Sequence, residues 1–252
     1  MTMPAAFAAS PSDTSEAVTL RQVRYRYPGA TEDALRVELL TVERGEHVFV
    51  RGRSGCGKTT LLSLIAGVLV ASEGEVRLQG HDSAALSPSA RDRLRADHIG
   101  YIFQQFNLLP YLSVRDNVLL PCRFSATRTA RAGGSVDAIS ARADALLAQM
   151  GLGHQCVHRP AAALSVGQQQ RVAAARALIG QPELVIADEP ASALDESVRE
   201  SFMQVLLAAC TDAHSALVFV SHDGRLAQRF TRQIELLSLN SAALASADEV
   251  SA

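Results

Sequence analysis

Apolar and polar positions alternate along residues 18–27 in the β manner, and the pattern stops at Pro28-Gly29. Residues 36–42 repeat it up to the turn at Arg44-Gly45, and 46–50 form a more continuous β-rich run that enters a glycine-rich stretch. The periodicity then becomes helical over 60–66 and returns to short apolar runs at 75–79 and 98–103. These segments predict parallel core strands joined by an antiparallel edge, an α/β arrangement with a mixed sheet.

The middle of the chain changes character. Ser113, with an acid three residues later, marks a helix start, and Pro121 is expected to end that helix. Residues 125–135 are small, polar and basic and read as a solvated connector. Ile139, Leu146, Leu147 and Met150 then share one face of a helix that ends at Gly151. From about 104 to 163 the pattern is helical without strand periodicity, so a helical subdomain inserted into the α/β core is expected. Beyond it, Ser165 is a plausible N-cap for a helix through Ile179, stopped by Gly180 and Pro182. An apolar strand over 183–187 runs into Asp188-Glu189-Pro190, followed by a helix over 196–209 and a strand over 216–220. The expected organisation is a loose tail over 1–17, one domain over 18–240 and a second tail over 241–252.

Composition narrows the function classes. A chain of 252 residues can hold one large α/β domain, and no apolar run approaches the ~18 residues of a membrane span. The first 17 residues carry no Lys or Arg and so lack the charged start of a secretory signal. A net charge of −2 offers no basic excess for nucleic acid. Cys56, Cys122, Cys156 and Cys210 are scattered, as reduced thiols are. His154 and His158 flank Cys156, but no nearby carboxylate completes a metal set and Pro160 follows, so a surface loop is expected.

One position departs from the arginine bias. Lys58 is the single lysine beside 23 arginines, and it sits in Gly52-Arg53-Ser54-Gly55-Cys56-Gly57-Lys58-Thr59, which fits G-x-x-x-x-G-K-[ST]. Glycines let backbone N–H groups converge on phosphates, the lysine reaches the β- and γ-phosphates, and the Thr59 hydroxyl ligates Mg²⁺. Cys56, at a helix start beside Lys58, is expected to have a lowered thiol pKa when the site is empty, while its main role is read as small-residue packing. The apolar strand ending in two acids is the second signature. Asp188 is placed to hold the Mg²⁺ shell and Glu189 to polarise an attacking water.

Leu164-Ser165-Val166-Gly167-Gln168-Gln169-Gln170-Arg171 resembles the signature motif of ABC-type ATPases, upstream of the second acid motif as in that family. Tyr27, Gln104, Ser192-Ala193-Leu194-Asp195 and Ser221-His222-Asp223 also resemble family motifs, in order. The resemblance covers roughly residues 20–237. It implies a P-loop nucleotide hydrolase core and ATP contacts from Tyr27, Gly52, Ser54, Gly55, Cys56, Gly57, Lys58, Thr59 and Thr60. It implies Mg²⁺ ligation by Thr59, Gln104 and Asp188, and chemistry carried by Lys58, Gln104, Glu189 and His222. Tyr27 is alternatively an ordinary edge-strand tyrosine, and His222 a buried structural histidine. The resemblance further implies a head-to-tail homodimer in which Ser165, Gly167 and Gln168 reach the γ-phosphate held by the partner, with Ser192, Ala193, Leu194 and Asp195 at the interface. Val166 stands where the family usually has glycine. Gly167 is retained, so ATP contact is expected to survive, with slower closure.

An ATPase of this type with no membrane span implies a transmembrane permease subunit as partner and a peripheral place on the cytoplasmic side of the inner membrane. Residues 102–112 and Val118-Leu119-Leu120-Pro121 look like the branch serving lipoprotein-releasing and macrolide-efflux complexes. The alternatives are an importer subunit, or a soluble ABC-type ATPase acting on DNA or ribosomes. The latter class is expected to carry coiled-coil arms, a duplicated domain or basic extensions, which this sequence does not show. A kinase or synthetase built on the same loop has no use for the 164–168 signature.

Overall fold

The computed structural model describes residues 15–53 and 55–242, so most of both expected tails, and Ser54, lie outside the described residues. The chain opens with β1 (Glu16–Tyr25), β2 (Leu35–Glu43), β3 (His47–Arg51) and α1 (Lys58–Ile65). It continues through β4 (Glu73–Leu78), β5 (His81–Asp82), α2 (Pro88–His98) and β6 (Ile99–Ile102). Helices α3 (Val114–Phe124), α4 (Ala126–Arg131), α5 (Val136–Gln149) and α6 (Val166–Leu178) follow. The chain then alternates through β7 (Leu184–Asp188), α7 (Glu196–Asp212), β8 (Ala216–Ser221), β9 (Arg232–Glu235) and α8 (Leu236–Leu239).

The strands form two sheets. The antiparallel strands gather in one of their own, ordered β2-β1-β4-β5, and the parallel sheet runs β6-β7-β8-β3-β9. Strands β3, β7 and β8 read as near-continuous apolar runs because both faces of the parallel sheet are covered. Side chains alternate between those faces. Val48, Val50, Ile186, Val218 and Val220 join the core shared with α1 and the antiparallel sheet. Phe49, Val185, Ala187, Leu217 and Phe219 join the core shared with α3, α5, α6 and α7. On that second face Phe49 stacks on Phe219 at 5.9 Å, with Phe230 closing against both.

Several features differ from the sequence expectation: the antiparallel strands form their own sheet instead of an edge of a mixed one, and β1 already begins at Glu16, inside the expected tail. Pro121 lies inside α3 rather than ending it. A proline removes one N–H from the ladder. Here the cap at Ser113, whose Oγ accepts from Asp116 N at 3.0 Å, and the packing of α3 on α6 carry the helix through. The supposed connector over 125–135 contains α4, capped by Ser125 Oγ, which accepts from Arg128 N at 3.0 Å. Arg128 is fully buried and donates from Nη1 to Ala177 O and Ile179 O, both at 3.2 Å, so it closes the last turn of α6. Burial brings its pKa down to about 10. Helix α2 was not expected, because only Leu94 of its eleven residues is buried and no apolar stripe marks it. Its cap is legible: Ser87 Oγ accepts from Ala90 N, with Pro88 in the first turn. Strand β9 was missed for the same reason, since its sequence Arg-Gln-Ile-Glu is polar on an edge of the sheet.

Candidate active site

The carboxyl ends of the parallel strands carry the site, as open α/β sheets favour. Strand β3 delivers the chain into the glycine-rich loop and α1 leaves it. Gly57 is the N-cap of α1 at φ 96°, and no side chain caps that end. The first N–H groups of α1 therefore stay available to an anion. A Cβ at Gly52 would fall 2.4 Å from Cys56 Sγ, so any side chain there would force Cys56 to shift.

An open cleft of about 750 Å³ is lined by Tyr27, Ala34, Gly55, Gly57, Lys58, Thr59, Thr60, Gln104, Asp188, Glu189 and His222. Residues far apart in sequence thus meet there. Gly52 and Cys56 build the loop from behind and are buried. Lys58 Nζ donates to Gly52 O at 3.0 Å and to Glu189 Oε1 at 2.9 Å. The other Glu189 oxygen, Oε2, lies 2.9 Å from His222 Nδ1 and accepts from Ser221 Oγ at 3.4 Å. Glu189 is held in the left-handed region at φ 47° while its N–H continues the sheet by donating to Val220 O at 2.9 Å. Non-glycine residues rarely adopt that region, and such positions concentrate at functional sites. Asp188 ends β7 in register with Val220, and burial followed by the neighbouring Glu189 charge raises its pKa. His222 is not a buried histidine: its side chain is 67% exposed beside the cleft.

Tyr27 extends past β1, 4.9 Å edge-on to Tyr25, with its hydroxyl 3.0 Å from Thr60 Oγ1. The expected lowering of the Cys56 thiol pKa is reversed. Burial raises it and outweighs the opposing Lys58 charge. Cys56 is therefore a packing residue of the loop.

A second cleft of about 480 Å³ is lined by Ser165, Val166, Gly167, Gln168, Ala193, Leu194 and Asp195 with neighbours from residues 151–156. Ser165 and Gln168 form a reciprocal cap: Ser165 Oγ accepts from Gln168 N at 3.4 Å and Gln168 Oε1 accepts from Ser165 N at 3.1 Å. Val166 is exposed at the first position of α6. Gly167 faces Val198 and Leu194, and a Cβ there would come within 3.3 Å of Val198. Ser192 donates to Glu189 O at 2.9 Å, linking the acid motif to the residues behind it. Leu194 is a buried core residue and Asp195 caps α7 by accepting from Val198 N. Sequence reasoning quoted Ser221 in its motif without giving it a role, and it missed Ala34 as a member of the site. Ser221 had a signal, since it adjoins His222 at the end of β8; Ala34 had none.

Comparisons with known proteins agree with this geometry. The ABC transporter family model matches residues 36–192. ABC transporter ATP-binding protein YbbA of Escherichia coli strain K12 is 40% identical over 199 residues, covering 79% of this chain and 84% of its own. Lipoprotein-releasing system ATP-binding protein LolD of Novosphingobium aromaticivorans is 38% identical over 221 residues, 87% of this chain and 95% of its own. Macrolide export ATP-binding/permease protein MacB 1 of Aeromonas hydrophila is 43% identical over 197 residues, but the matched part is only 29% of its length. The chain therefore spans about a third of the macrolide-export relatives it matches. Among solved structures, the ATP-binding cassette MJ0796, a dimer in a post-hydrolysis state with ADP and Pi, superposes with a TM-score of 0.76 at 34% identity, covering 87% of this chain and 95% of that one. With the family model spanning more than half of the chain and close relatives covered nearly end to end, this chain belongs to the ABC transporter family, as one of its ATP-binding ATPase cassettes.

Proposed function

We propose that the chain hydrolyses ATP to energise a membrane permease of the lipoprotein-releasing or macrolide-export type, working as a head-to-tail homodimer. The observation that carries the reading is the contact chain Lys58–Glu189–His222 at the carboxyl edge of the parallel sheet. It supports the following division of labour. Lys58 and the open N–H groups of α1 bind the phosphates. Glu189 orients and polarises the attacking water, while His222 holds its second oxygen and presents an exposed ring to the γ-phosphate. Tyr27 offers its face to the adenine, a stack worth ~1–3 kcal/mol.

The donor set fits Mg²⁺. Thr59, Gln104 and Asp188 offer oxygens to one cleft, and Asp188 and Glu189 place two carboxylates beside one lysine that already pairs with Glu189. A hard divalent cation suits that charge deficit and would neutralise the β- and γ-phosphate oxygens.

Ser165, Gly167 and Gln168 line a different cleft from Lys58, which supports their use on a nucleotide held by a second copy. Ser192, Ala193 and Asp195 lie exposed beside it and Leu194 supports them from the core. The helical subdomain over 104–163, within a domain over 18–240, is the part proposed to face the permease. A place on the cytoplasmic face of the inner membrane follows from that partner; among the described residues no helix is long and apolar enough to cross a membrane.

Substituting Glu189→Gln tests the reading. ATP affinity should be kept, because Lys58 loses an anionic competitor, while hydrolysis should fall ~10²–10⁴-fold and an ATP-dependent dimer should persist. Near-native hydrolysis, or a monomer at saturating ATP–Mg²⁺ by size-exclusion chromatography, would overturn it.

A further inference from the structure

Asn240, just past α8, carries no motif and no catalytic chemistry, yet it is 1% exposed and reaches the glycine-rich loop. Its Nδ2 donates to Cys56 O at 3.1 Å and to Ala34 O at 3.2 Å. Its Oδ1 accepts from Arg36 N at 2.8 Å and from Ala242 N at 3.2 Å. Two carbonyls face the nitrogen and two N–H groups face the oxygen, so one orientation of the amide satisfies every partner and the reverse satisfies none. The contact is close. At Gly57 a Cβ would lie 3.0 Å from Asn240 Nδ2, and Gly57 adopts φ 96°, which glycine alone takes without strain.

A trans peptide sets its C=O and N–H in opposite directions. With the Cys56 carbonyl turned onto Asn240, the Gly57 N–H points away from Asn240, and Gly57 and Lys58 are among the residues that line the cleft. We propose that Asn240 is a positioning residue for the phosphate loop: it locks the Cys56–Gly57 peptide so that the Gly57 N–H is presented to the phosphates of bound nucleotide. The inference rests on residues 52–59 being the phosphate-binding loop. Chain beyond the last parallel strand thereby contributes to a site it does not line.

Asn240→Asp separates the two halves of the amide. It keeps an oxygen for Arg36 N and Ala242 N but sets an anionic oxygen against the Cys56 and Ala34 carbonyls. Asn240→Ala removes the loop contact without adding charge and serves if the first variant does not fold. Dissociation constants for ATP and ADP are measured on the full chain by calorimetry, together with kcat and with thermal unfolding in the absence of nucleotide. Affinity for both nucleotides is expected to weaken about tenfold, the scale of one hydrogen bond to a charged group, with kcat at saturation changing far less. A residue that only supports the fold would lower the unfolding temperature and leave the affinity of the folded protein unchanged, and that result overturns the proposal. Lys58→Ala is the control. If it weakens binding and the Asn240 variants do not, the positioning role fails alone; if Lys58→Ala also leaves affinity unchanged, the phosphate-loop reading itself has failed.

Discussion

Lys58 shows what a single side chain is asked to do here. Its side chain is 16% exposed and its ammonium bridges the start of its own loop, at Gly52 O, to Glu189 just past the end of β7, two strands away in the sheet. A compact ammonium satisfies both contacts, and a guanidinium's planar fork is not interchangeable with it. Breaking a buried pair leaves an uncompensated charge, so in the proposed reading an incoming γ-phosphate would take the place of Glu189 as the partner of Lys58. Because this is the only lysine, an amine-directed acylating reagent can modify only Lys58 and the amino terminus. Inactivation is expected to track mass-verified modification at Lys58, with ATP–Mg²⁺ protecting. Full activity after complete acylation of Lys58 would exclude a phosphate contact. Cys56, raised in pKa by burial, should react far more slowly with thiol reagents than a thiol activated by a helix end.

At the scale of elements, the segment between β6 and α3 links the site to a surface. Gln104 lines the cleft, Phe106 and Leu108 pack on the core, and Tyr111 is 75% exposed with Phe103 also at the surface. Phe106 and Asn107 both adopt positive φ, and their carbonyls accept from Arg176 Nη2 and Nη1 at 2.6 Å. Arg176 belongs to α6, so these two hydrogen bonds tie the segment to the helix that Ser165 caps. A partner seated on Tyr111 would therefore bear on both Gln104 and the cap of α6. Tyr111→Asp is expected to abolish co-purification with a membrane permease while leaving the nucleotide affinity of the isolated chain unchanged. Leu108→Asp should disturb packing as well, since Leu108 is half-buried. Normal assembly of the Tyr111 variant would place the coupling surface elsewhere.

For the whole molecule, Glu183 ties the helical segment to the parallel sheet. It stands just before β7, 3.0 Å from His98 of α2 and paired through both oxygens with Arg131 of α4. Burial alone would raise its pKa, but the His98 and Arg131 contacts outweigh it and bring it to about 2. Asp223, held by Arg225 and Arg199, is also brought to about 2. The folded pKa lies below the ordinary value of 4.5, so the stabilisation from Glu183 is complete above that value and is lost as pH falls toward 2. Stability measured by urea unfolding should drop over that window, and Glu183→Gln should flatten the slope. An unchanged slope in the variant would mean that this carboxylate does not link the two parts.

The order of motifs along the chain was enough to establish the nucleotide chemistry. A glycine loop with a lone lysine, an apolar strand ending in two acids and a capped signature helix are local patterns, written in backbone freedom, periodicity and capping that neighbours hardly alter. The buried strands β3, β7 and β8 were legible for the same reason, as were Ser165 as a cap and the amphipathic face of α5. What tertiary structure decided lies where local and distant forces compete. Pro121 stays inside a helix because packing on α6 outweighs one lost hydrogen bond. Helix α4 forms in a stretch that reads as solvated because its arginine finds the open carbonyls of α6. Cys56 is raised in pKa because burial wins over a nearby charge, a balance that spacing in sequence does not carry. The contacts of Asn240 join residues about 200 positions apart, and no periodicity or motif encodes such a distance.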